Sequence, residues 1–349
     1  MLAVLTGGLL APGLAVWAEE PKAAVRGVED EDLRDLIIQA VGVAEKPAAS
    51  RFEARRRGRE AAESAIAVLR SEGYYAGEAT PDLGDRDDEE SEAAPRAVIT
   101  VAPGPQFRIA RPAIDWQAPA PSPEVQGAGT LAMALRRGQP GRAQDVLGAE
   151  GRILSAIVQQ GHADAQALPR EVVVDHADQT VRPTFRIDAG PLVKLDGLVI
   201  DYEGRTDRDW LTDLTPWKPG VVYAPDRLGE LERRLRETGA YDTVSVSLAP
   251  ADQATPEGYR PVMLALKDRP RRSLEVGAGY STSEGAGLDV TTTRYNGWRR
   301  ADTRVIALRL AQMQQRLDYR VSLPHWREPR QTLAVTASVY NELTDAYDQ

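Results

Sequence analysis

The sequence contains no cysteine among its 349 residues. Disulfide bonds, zinc–thiolate sites, iron–sulfur clusters and cysteine nucleophiles are therefore excluded together. Histidine is nearly as scarce, and His162, His176 and His325 lie on different predicted elements. Such scattered side chains give little support to a metal centre or a catalytic histidine. We expect no cofactor, no metal and no enzymatic activity.

Excess positive charge is also missing. The formal net charge is −9, from 43 Lys and Arg against 52 Asp and Glu. A general nucleic-acid binder needs clustered basic residues that neutralise phosphates. Nucleic acid is therefore not an expected partner.

Long apolar runs are absent after the first residues. Met1 to Ala18 is apolar, is interrupted by Gly and Pro, and precedes the acidic pair Glu19-Glu20. Residues 1–18 are predicted to be a signal peptide. Because they lack a basic start, the true start lying upstream and a short buried segment both stay open as alternatives. No later stretch is apolar enough for a spanning helix, so any membrane insertion must use strands.

Two motifs that suggest ligand binding fail in their context. The acidic run from Asp85 to Glu92 has Glu90 where a calcium-binding EF-hand loop needs glycine. Gly277 and Gly279 follow a strand pattern, but no helix begins after them as a dinucleotide-binding loop requires. Neither motif predicts a site.

A pattern recurs three times before Arg269. A helix with an apolar stripe ends at Gly73, Gly161 or Gly239, and two short strands follow. The closing turns come at nearly constant distances, at positions 104, 190 and 269, whereas the front of each copy varies in length. Such a constant module indicates an internal repeat. Each glycine is predicted to end its helix in the left-handed conformation, where a Cβ would be penalised.

The third copy shows the complete module. Leu192 to Tyr202 is predicted to be a strand, Asp207 caps a short helix that runs to Leu214, and Pro225 begins the long helix. The order is therefore β-α-α-β-β. With the strands on one side and the helices on the other, this is a two-layer α+β unit with its own core.

After Arg269 the helical pattern gives way to a period of two. Leu274, Val276, Ala278 and Tyr280 share one face of a predicted strand, while Glu275, Gly277 and Gly279 lie on the other. Similar alternation occurs over 288–293, 317–323 and 332–340. Segments of about 10 residues with this pattern suit tilted membrane strands, and the enrichment in Tyr and Trp after Ser273 suits an interfacial aromatic girdle.

The C-terminal segment accommodates about five such strands, whereas the smallest outer-membrane barrels need about eight. Residues 269–349 are therefore predicted to be the first, unclosed part of a longer transmembrane β-barrel, and the sequence is predicted to be a fragment.

Three stretches carry a resemblance to a known family. Leu235 to Val246 reads Leu-Arg-Glu-Thr-Gly-Ala-Tyr-Asp-Thr-Val-Ser-Val and, with the β-α-α-β-β order, resembles a POTRA domain. Residues 294–302 are similar to an Asn-Leu-Phe-Gly-Arg-Gly-like turn, with Ala301 in place of the last glycine, and Leu323 to Trp326 resembles a proline–aromatic strand end. Together they resemble the BamA/TamA superfamily of outer-membrane assembly factors, most closely its TamA-like members. The match is strongest over residues 192–281.

This resemblance implies a domain organisation and a set of partners. POTRA 1 would span residues 19–109, POTRA 2 residues 110–191 and POTRA 3 residues 192–268, with 269–349 starting a barrel of sixteen strands. The POTRA domains would lie in the periplasm and the strands in the outer membrane. The implied partners are unfolded outer-membrane protein clients, outer-membrane lipid and a TamB-like protein anchored in the inner membrane.

The resemblance also assigns a candidate site. The first barrel strand would form one side of the barrel seam, where a client strand could add; its proposed residues are Leu274, Val276, Gly277, Gly279 and Tyr280. The two glycines weaken the strand by removing packing side chains. The proposed hinge between POTRA 3 and barrel consists of Arg269, Pro270, Arg271 and Arg272. For Arg269, Arg271 and Arg272, simple exposure to solvent and contact with lipid headgroups or the barrel rim both stay open.

We expect a factor that assists insertion or secretion of β-barrel or autotransporter-type clients, by strand addition on POTRA edges and templating at the seam. A two-partner secretion transporter and a BamA-like insertase are alternatives within the superfamily. A soluble periplasmic protein-binding repeat module is the alternative from another class.

Overall fold

The computed structural model describes residues 20–84, 96–281 and 285–342. The predicted signal peptide and the acidic run that begins at Asp85 lie outside the described residues. The chain divides into two compact units. One contains Met1–Asp115, Thr130–Arg152 and Leu168–Arg186, and the other contains Trp116–Gly129, Ile153–Ala167 and Ile187–Gln349.

The first unit begins with a small α+β arrangement of two helices and a three-stranded sheet. Its elements are β1 (Glu20–Pro21), β2 (Ala24–Arg26), α1 (Glu31–Val41), β3 (Val43–Ala44), α2 (Arg51–Ser71), β4 (Glu78–Gly84) and β5 (Arg96–Ala102). β5 lies between β2, which is parallel to it, and β4, which is antiparallel. Asp30 and Ser50 cap the two helices by accepting backbone N–H bonds. Both helices contribute to the core, where Ile37, Leu69 and Ile99 are fully buried.

The elements of the middle segment belong partly to each unit. They are β6 (Arg108–Ile109), β7 (Ala113–Trp116), α3 (Pro123–Met133), α4 (Ala143–Gln159), β8 (Gln166–Asp175) and β9 (Thr180–Asp188). β9 pairs with β6, β7 and β8, and its pairing with β6 is parallel. Phe107, Ile109 and Phe185 are fully buried in the first unit.

Residues 194–268, termed here the third module, lie in the second unit. They form β10 (Lys194–Asp201), α5 (Arg208–Asp213), α6 (Pro225–Glu237), β11 (Tyr241–Leu248), a 3-10 turn (Ala251–Gln253) and β12 (Tyr259–Asp268). The sheet order is β10-β12-β11, with β10 parallel and β11 antiparallel to β12. The predicted cap Asp207 and the predicted helix start Pro225 are both confirmed. The predicted left-handed glycines are confirmed as well, with φ of 92° at Gly73, 102° at Gly161 and 67° at Gly239.

The last part of the second unit is one antiparallel sheet. Its strands are β13 (Arg272–Ser281), β14 (Gly285–Tyr295), β15 (Thr303–Ala311), β16 (Gln314–Leu323) and β17 (Leu333–Glu342). They pair in sequence order, so β13 and β17 are the edges of this open sheet. No helix among the described residues is long and apolar enough to cross a membrane.

The register confirms the alternation predicted for this sheet. Antiparallel partners point to the same face, so each set of aligned residues forms a cross-strand row. One row contains Val276, Val290, Leu308, Leu317 and Val339, whereas the neighbouring row on the opposite face contains Glu275, Thr291, Ala307, Asp318 and Ser338. One face is therefore apolar and the other is polar.

Candidate functional site at the edge strand and its joint with the third module

β13 is an edge strand that directly follows the third module. Only Arg269 to Arg271 separate it from the end of β12. One side of β13 pairs with β14 from Arg272, opposite Arg294, to Ser281, opposite Gly285. Its other side carries no strand among the described residues. Unpaired N–H and C=O groups along this side form a template on which another extended chain can add.

The five predicted seam residues all lie on β13. Leu274, Val276 and Tyr280 are 69%, 64% and 79% exposed and share the apolar face of the sheet. Gly277 and Gly279 lie on the polar face, opposite Asp289 and Gly287. The predicted seam residues are therefore divided between the two faces of the sheet, with the three large side chains on the apolar face and the two glycines on the polar face.

The two seam glycines are not required by local crowding. A Cβ at Gly279 would meet nothing within 4 Å, and one at Gly277 would approach only the Asp289 Cβ, at 3.9 Å. At the aligned pair Gly279–Gly287 neither strand presents a side chain on the polar face. Cross-strand side-chain pairs stabilise a sheet, so β13 is held less firmly to β14 at this pair.

The predicted hinge residues form a short connection with specific contacts. The backbone N–H of Arg269 donates to the Ala240 carbonyl at 3.0 Å, and its guanidinium lies 5.9 Å from the centre of the Tyr295 ring. The N–H of Tyr295 donates to the Arg271 carbonyl at 3.1 Å. Pro270 has no N–H to donate. The hinge stays a prediction, and these contacts define what would have to break for it to bend.

The turn between β14 and β15 packs against the third module. Ala301 is fully buried in the core cluster that contains Trp210 and Leu211. The Asn296 side-chain amide donates to the Thr206 hydroxyl at 2.7 Å, and its oxygen accepts from the Ala301 N–H at 3.1 Å. This turn therefore extends the core of the third module instead of projecting into solvent.

Ala301 adopts a left-handed backbone conformation, with φ of 54°. It stands where the similar turn of the resembled family has its last glycine, a residue that adopts this conformation without a steric penalty. An alanine pays about 1–2 kcal/mol there. Burial of its methyl group offsets part of this cost, by about 0.8 kcal/mol. The turn therefore accommodates alanine at this position at a modest energetic cost.

Beneath this turn lies a buried network of hydroxyl and carboxyl groups. The Tyr202 hydroxyl donates to Asp268 at 2.6 Å and accepts from the backbone N–H of Thr206 at 2.9 Å. The hydroxyls of Thr206 and Tyr241 are 2.8 Å apart, and Arg205 Nε donates to Asp268 at 3.1 Å. Burial raises the pKa of both Tyr202 and Tyr241. The network connects Asp268, the last residue of β12, to the loop between β10 and α5 and to Tyr241 at the start of β11.

A second turn, between β16 and β17, contacts α6. His325 Nδ1 accepts from the Arg330 N–H at 2.9 Å, so Nε2 carries the proton and donates to the Arg234 carbonyl at 3.0 Å. The Arg330 guanidinium makes two bonds to Glu230, at 2.6 and 2.9 Å. Burial and the nearby Arg330 charge lower the pKa of Arg234. The sheet is thus attached to the third module through both turns at this end.

We use the term joint for these two turn contacts and the buried network. The sequence patterns identified the residues of both turns through the resemblance at 294–302 and 323–326, but they assigned no contact partner to either. Asn296, Asp302 and His325 are all buried. Buried polar side chains need hydrogen-bond partners, so the polar side chains of these two turns are the sequence feature that could have indicated packing.

The geometry defines a module of two helices on three strands, joined to an open amphipathic sheet. No family model matches the sequence. The fold is similar to that of BamA from Haemophilus ducreyi lacking POTRA domains 1-3, with a TM-score of 0.58, 16% identity, and coverage of 69% of this chain and 44% of that one. This likeness shows a similar fold over the part of the chain that it covers. The chain spans less than half of that structure's length.

Two other solved structures are similar at lower TM-scores. Haemophilus influenzae BamA POTRA3-5 has a TM-score of 0.42 and 18% identity, covering 72% of this chain and 96% of that one. CdiB from Escherichia coli has a TM-score of 0.40 and 13% identity, covering 88% of this chain and 53% of that one.

Proposed function

We propose that this chain is part of a TamA-type outer-membrane assembly or secretion factor of the superfamily that includes BamA and CdiB. Residues 19–109, 110–191 and 192–268 would be three periplasmic POTRA domains, and 269–349 would begin the barrel. The observation that carries the proposal is the joint, which couples an α+β module to an amphipathic sheet with an open edge. The fold likeness to the BamA structure supports it.

The apolar face of the sheet supports placement in a membrane. Leu274, Val276 and Val339 are 69%, 64% and 73% exposed on this face. Aqueous surfaces rarely carry a continuous apolar area of several adjacent strands, because water does not stabilise it. Contact with lipid hydrocarbon would remove the cost of exposing this apolar area to water, so we place the apolar face against lipid.

The proposed mechanism rests on backbone hydrogen bonds. An unfolded outer-membrane protein would pair one strand with the free side of β13, and the glycine pair Gly279–Gly287 would ease local separation of β13 from β14. Folding of the client in lipid would supply the free energy, so no nucleotide is involved. A TamB-like partner bound through the first module is part of the proposal.

Disulfide trapping tests strand addition cleanly because the chain has no cysteine of its own. Gly279→Cys places a thiol on the free edge strand, where a Cβ meets nothing within 4 Å. Ala307→Cys is the matched control, because β15 is paired on both sides. With a client that carries single cysteines in its terminal strand, we expect a register-dependent disulfide at position 279 and none at 307.

Equal trapping at both positions, or none at 279, would contradict strand addition at β13. Membrane association is measured separately, by alkaline carbonate extraction of the cysteine-free chain. Release without detergent would instead favour the soluble periplasmic binding module.

A further inference from the structure

Three arginines are aligned across the sheet at the end that faces the third module. Arg272, Arg294 and Arg304 lie directly opposite one another on β13, β14 and β15. We term them the arginine row. Two residues further along each strand come Leu274, Thr292 and Ile306, which belong to the apolar face. Side chains two residues apart on a strand point the same way, so the arginine row is the last row of that face on β13, β14 and β15. The row continues through Val321 on β16 and Val335 on β17.

Like charges placed directly opposite one another destabilise a sheet unless something compensates them. Arg304 is compensated, because its Nε lies 3.3 Å from the Asp302 carboxylate and its guanidinium lies 3.6 Å from the centre of the Trp298 ring. Among the residues that the structure describes, Arg272 and Arg294 have no acidic partner. The arginine row therefore contains two adjacent cations without a counter-charge.

One nitrogen of the Arg294 side chain also lacks a hydrogen-bond partner. This atom, Nε, is buried, and no acceptor bonds to it within the described part of the chain. A buried donor without a partner costs about 1–3 kcal/mol. An anion that binds the accessible part of the Arg294 guanidinium and the exposed Arg272 side chain would compensate the charge repulsion between them.

The surroundings of the arginine row favour a lipid headgroup over a soluble anion. Apolar rows begin directly beside it, and they continue along the sheet through Val276 and Val290. Trp298 and Trp326 lie in the two turns at the same end and are 51% and 44% exposed. Tryptophan at the end of a lipid-facing surface is typical of the headgroup level. A phospholipid would contact the arginine charges with its headgroup, the apolar rows with its acyl chains and the two tryptophans at the level between them. A free phosphate would contact only the charges.

We propose that Arg272 and Arg294 bind the phosphate of an anionic phospholipid at the module end of the apolar face. The proposal rests on the proposed function, because it requires the sheet to lie in a membrane. It goes further by naming the lipid class and the two residues that select it. The bound headgroup fixes the depth of the sheet next to the joint.

The test measures partition of the full chain into two kinds of vesicle. One is pure phosphatidylcholine, and the other is phosphatidylcholine mixed with phosphatidylglycerol; flotation and tryptophan emission report binding. Each arginine near an anionic surface favours binding about fivefold. We expect Arg272→Gln combined with Arg294→Gln to lower the preference for the mixed vesicles by roughly 25-fold.

Arg320→Gln is the matched control. It removes one positive charge one position along the sheet, in the row of Ser273 and Thr293, which points to the polar face, and it is compared with Arg272→Gln alone. We expect the control to leave the preference for phosphatidylglycerol nearly unchanged, whereas Arg272→Gln alone lowers it about fivefold. A loss in the control equal to that of Arg272→Gln would overturn the site, because it would show that only total charge matters.

Further outcomes separate the two proposals. Equal binding of the unaltered chain to both vesicles would overturn the headgroup site and leave the membrane placement standing. Failure to float with either vesicle would overturn both. Displacement by millimolar inorganic phosphate would assign the site to a free anion and overturn the lipid proposal. If the double variant does not fold, Arg272→Gln alone changes an exposed side chain, and a preference that stays within twofold would count against the proposal.

Discussion

The third module and the five-stranded sheet use apolar residues in opposite ways. In the module, Leu231 and Leu264 are 0% exposed and pack between helices and strands. In the sheet, Leu274 and Val339 are 69% and 73% exposed. The two regions are adjacent in sequence, and both alternate polar and apolar residues along their strands. The module buries its apolar side chains in its own core, whereas the apolar face of the sheet is exposed among the described residues.

The comparison predicts that equal truncations have unequal effects in water. Leu231→Ala removes packing in a filled core, and we expect it to lower the free energy of unfolding by about 2–5 kcal/mol. Leu274→Ala removes a side chain that is already exposed, and we expect a change within about 0.5 kcal/mol. Urea unfolding followed by tryptophan fluorescence measures both. Similar losses would mean that Leu274 packs against something in solution and that the two regions are alike.

In lipid, the relative sensitivity of the two regions changes. Val276→Arg places a charge in the middle of the apolar face, where a lipid-exposed arginine costs about 2–4 kcal/mol at the bilayer midplane. Glu275→Arg makes a charge substitution one residue away, on the face with Thr291 and Asp318. We expect Val276→Arg alone to impair insertion. A heat-modifiability gel shift measures this, and equal effects would contradict the assignment of faces.

The joint is where the two regions meet, and it is predicted to couple them. Asn296→Ala leaves the Ala301 N–H without its acceptor inside the core, and it removes the amide bond to the Thr206 hydroxyl, which keeps the Tyr202 and Tyr241 hydroxyls as partners. The unpaired N–H costs about 1–3 kcal/mol. We expect faster hydrogen exchange in residues 296–302 and in α5.

A double-mutant cycle of Asn296→Ala with Thr206→Val isolates this interaction. Coupling of about 0.5 kcal/mol or more would show that the hydrogen bond crosses the joint in solution. Additive effects would indicate that sheet and module fold independently.

The same comparison explains how much the sequence could predict. Module order, the glycine helix ends, the Asp207 cap and the alternation from Leu274 onward depend on neighbouring residues, and local patterns report such features. β15 was harder, because Val305 and Ala307 are apolar on the polar face and blur the period of two. The sequence pattern therefore predicts alternation on the other four strands of the sheet and not on β15.

The joint could not be predicted because its partners are distant in sequence. Nothing near Asn296 indicates Thr206, and nothing near Arg330 indicates Glu230. The arginine row likewise depends on register, which a sequence pattern leaves undetermined until the turns are known. The edge position of β13 was proposed from family resemblance. The observed register alone shows that Gly279 lies opposite Gly287.

The smallest expected effect concerns pH and again separates the regions. Burial raises the pKa of Tyr202 and Tyr241, so both stay protonated in the folded module after unfolded tyrosine begins to ionise near pH 10. Above about pH 10 the unfolded state holds fewer protons, and stability therefore falls as pH rises, by at most about 1.4 kcal/mol per pH unit for each tyrosine. Below that pH this contribution is fully present. Urea midpoints measured across this range should show a shallower decline for Tyr241→Phe and an unchanged one for Tyr280→Phe, whose ring is 79% exposed. A decline that is equally steep in Tyr241→Phe would mean that this hydroxyl reaches water and that the joint is open in solution.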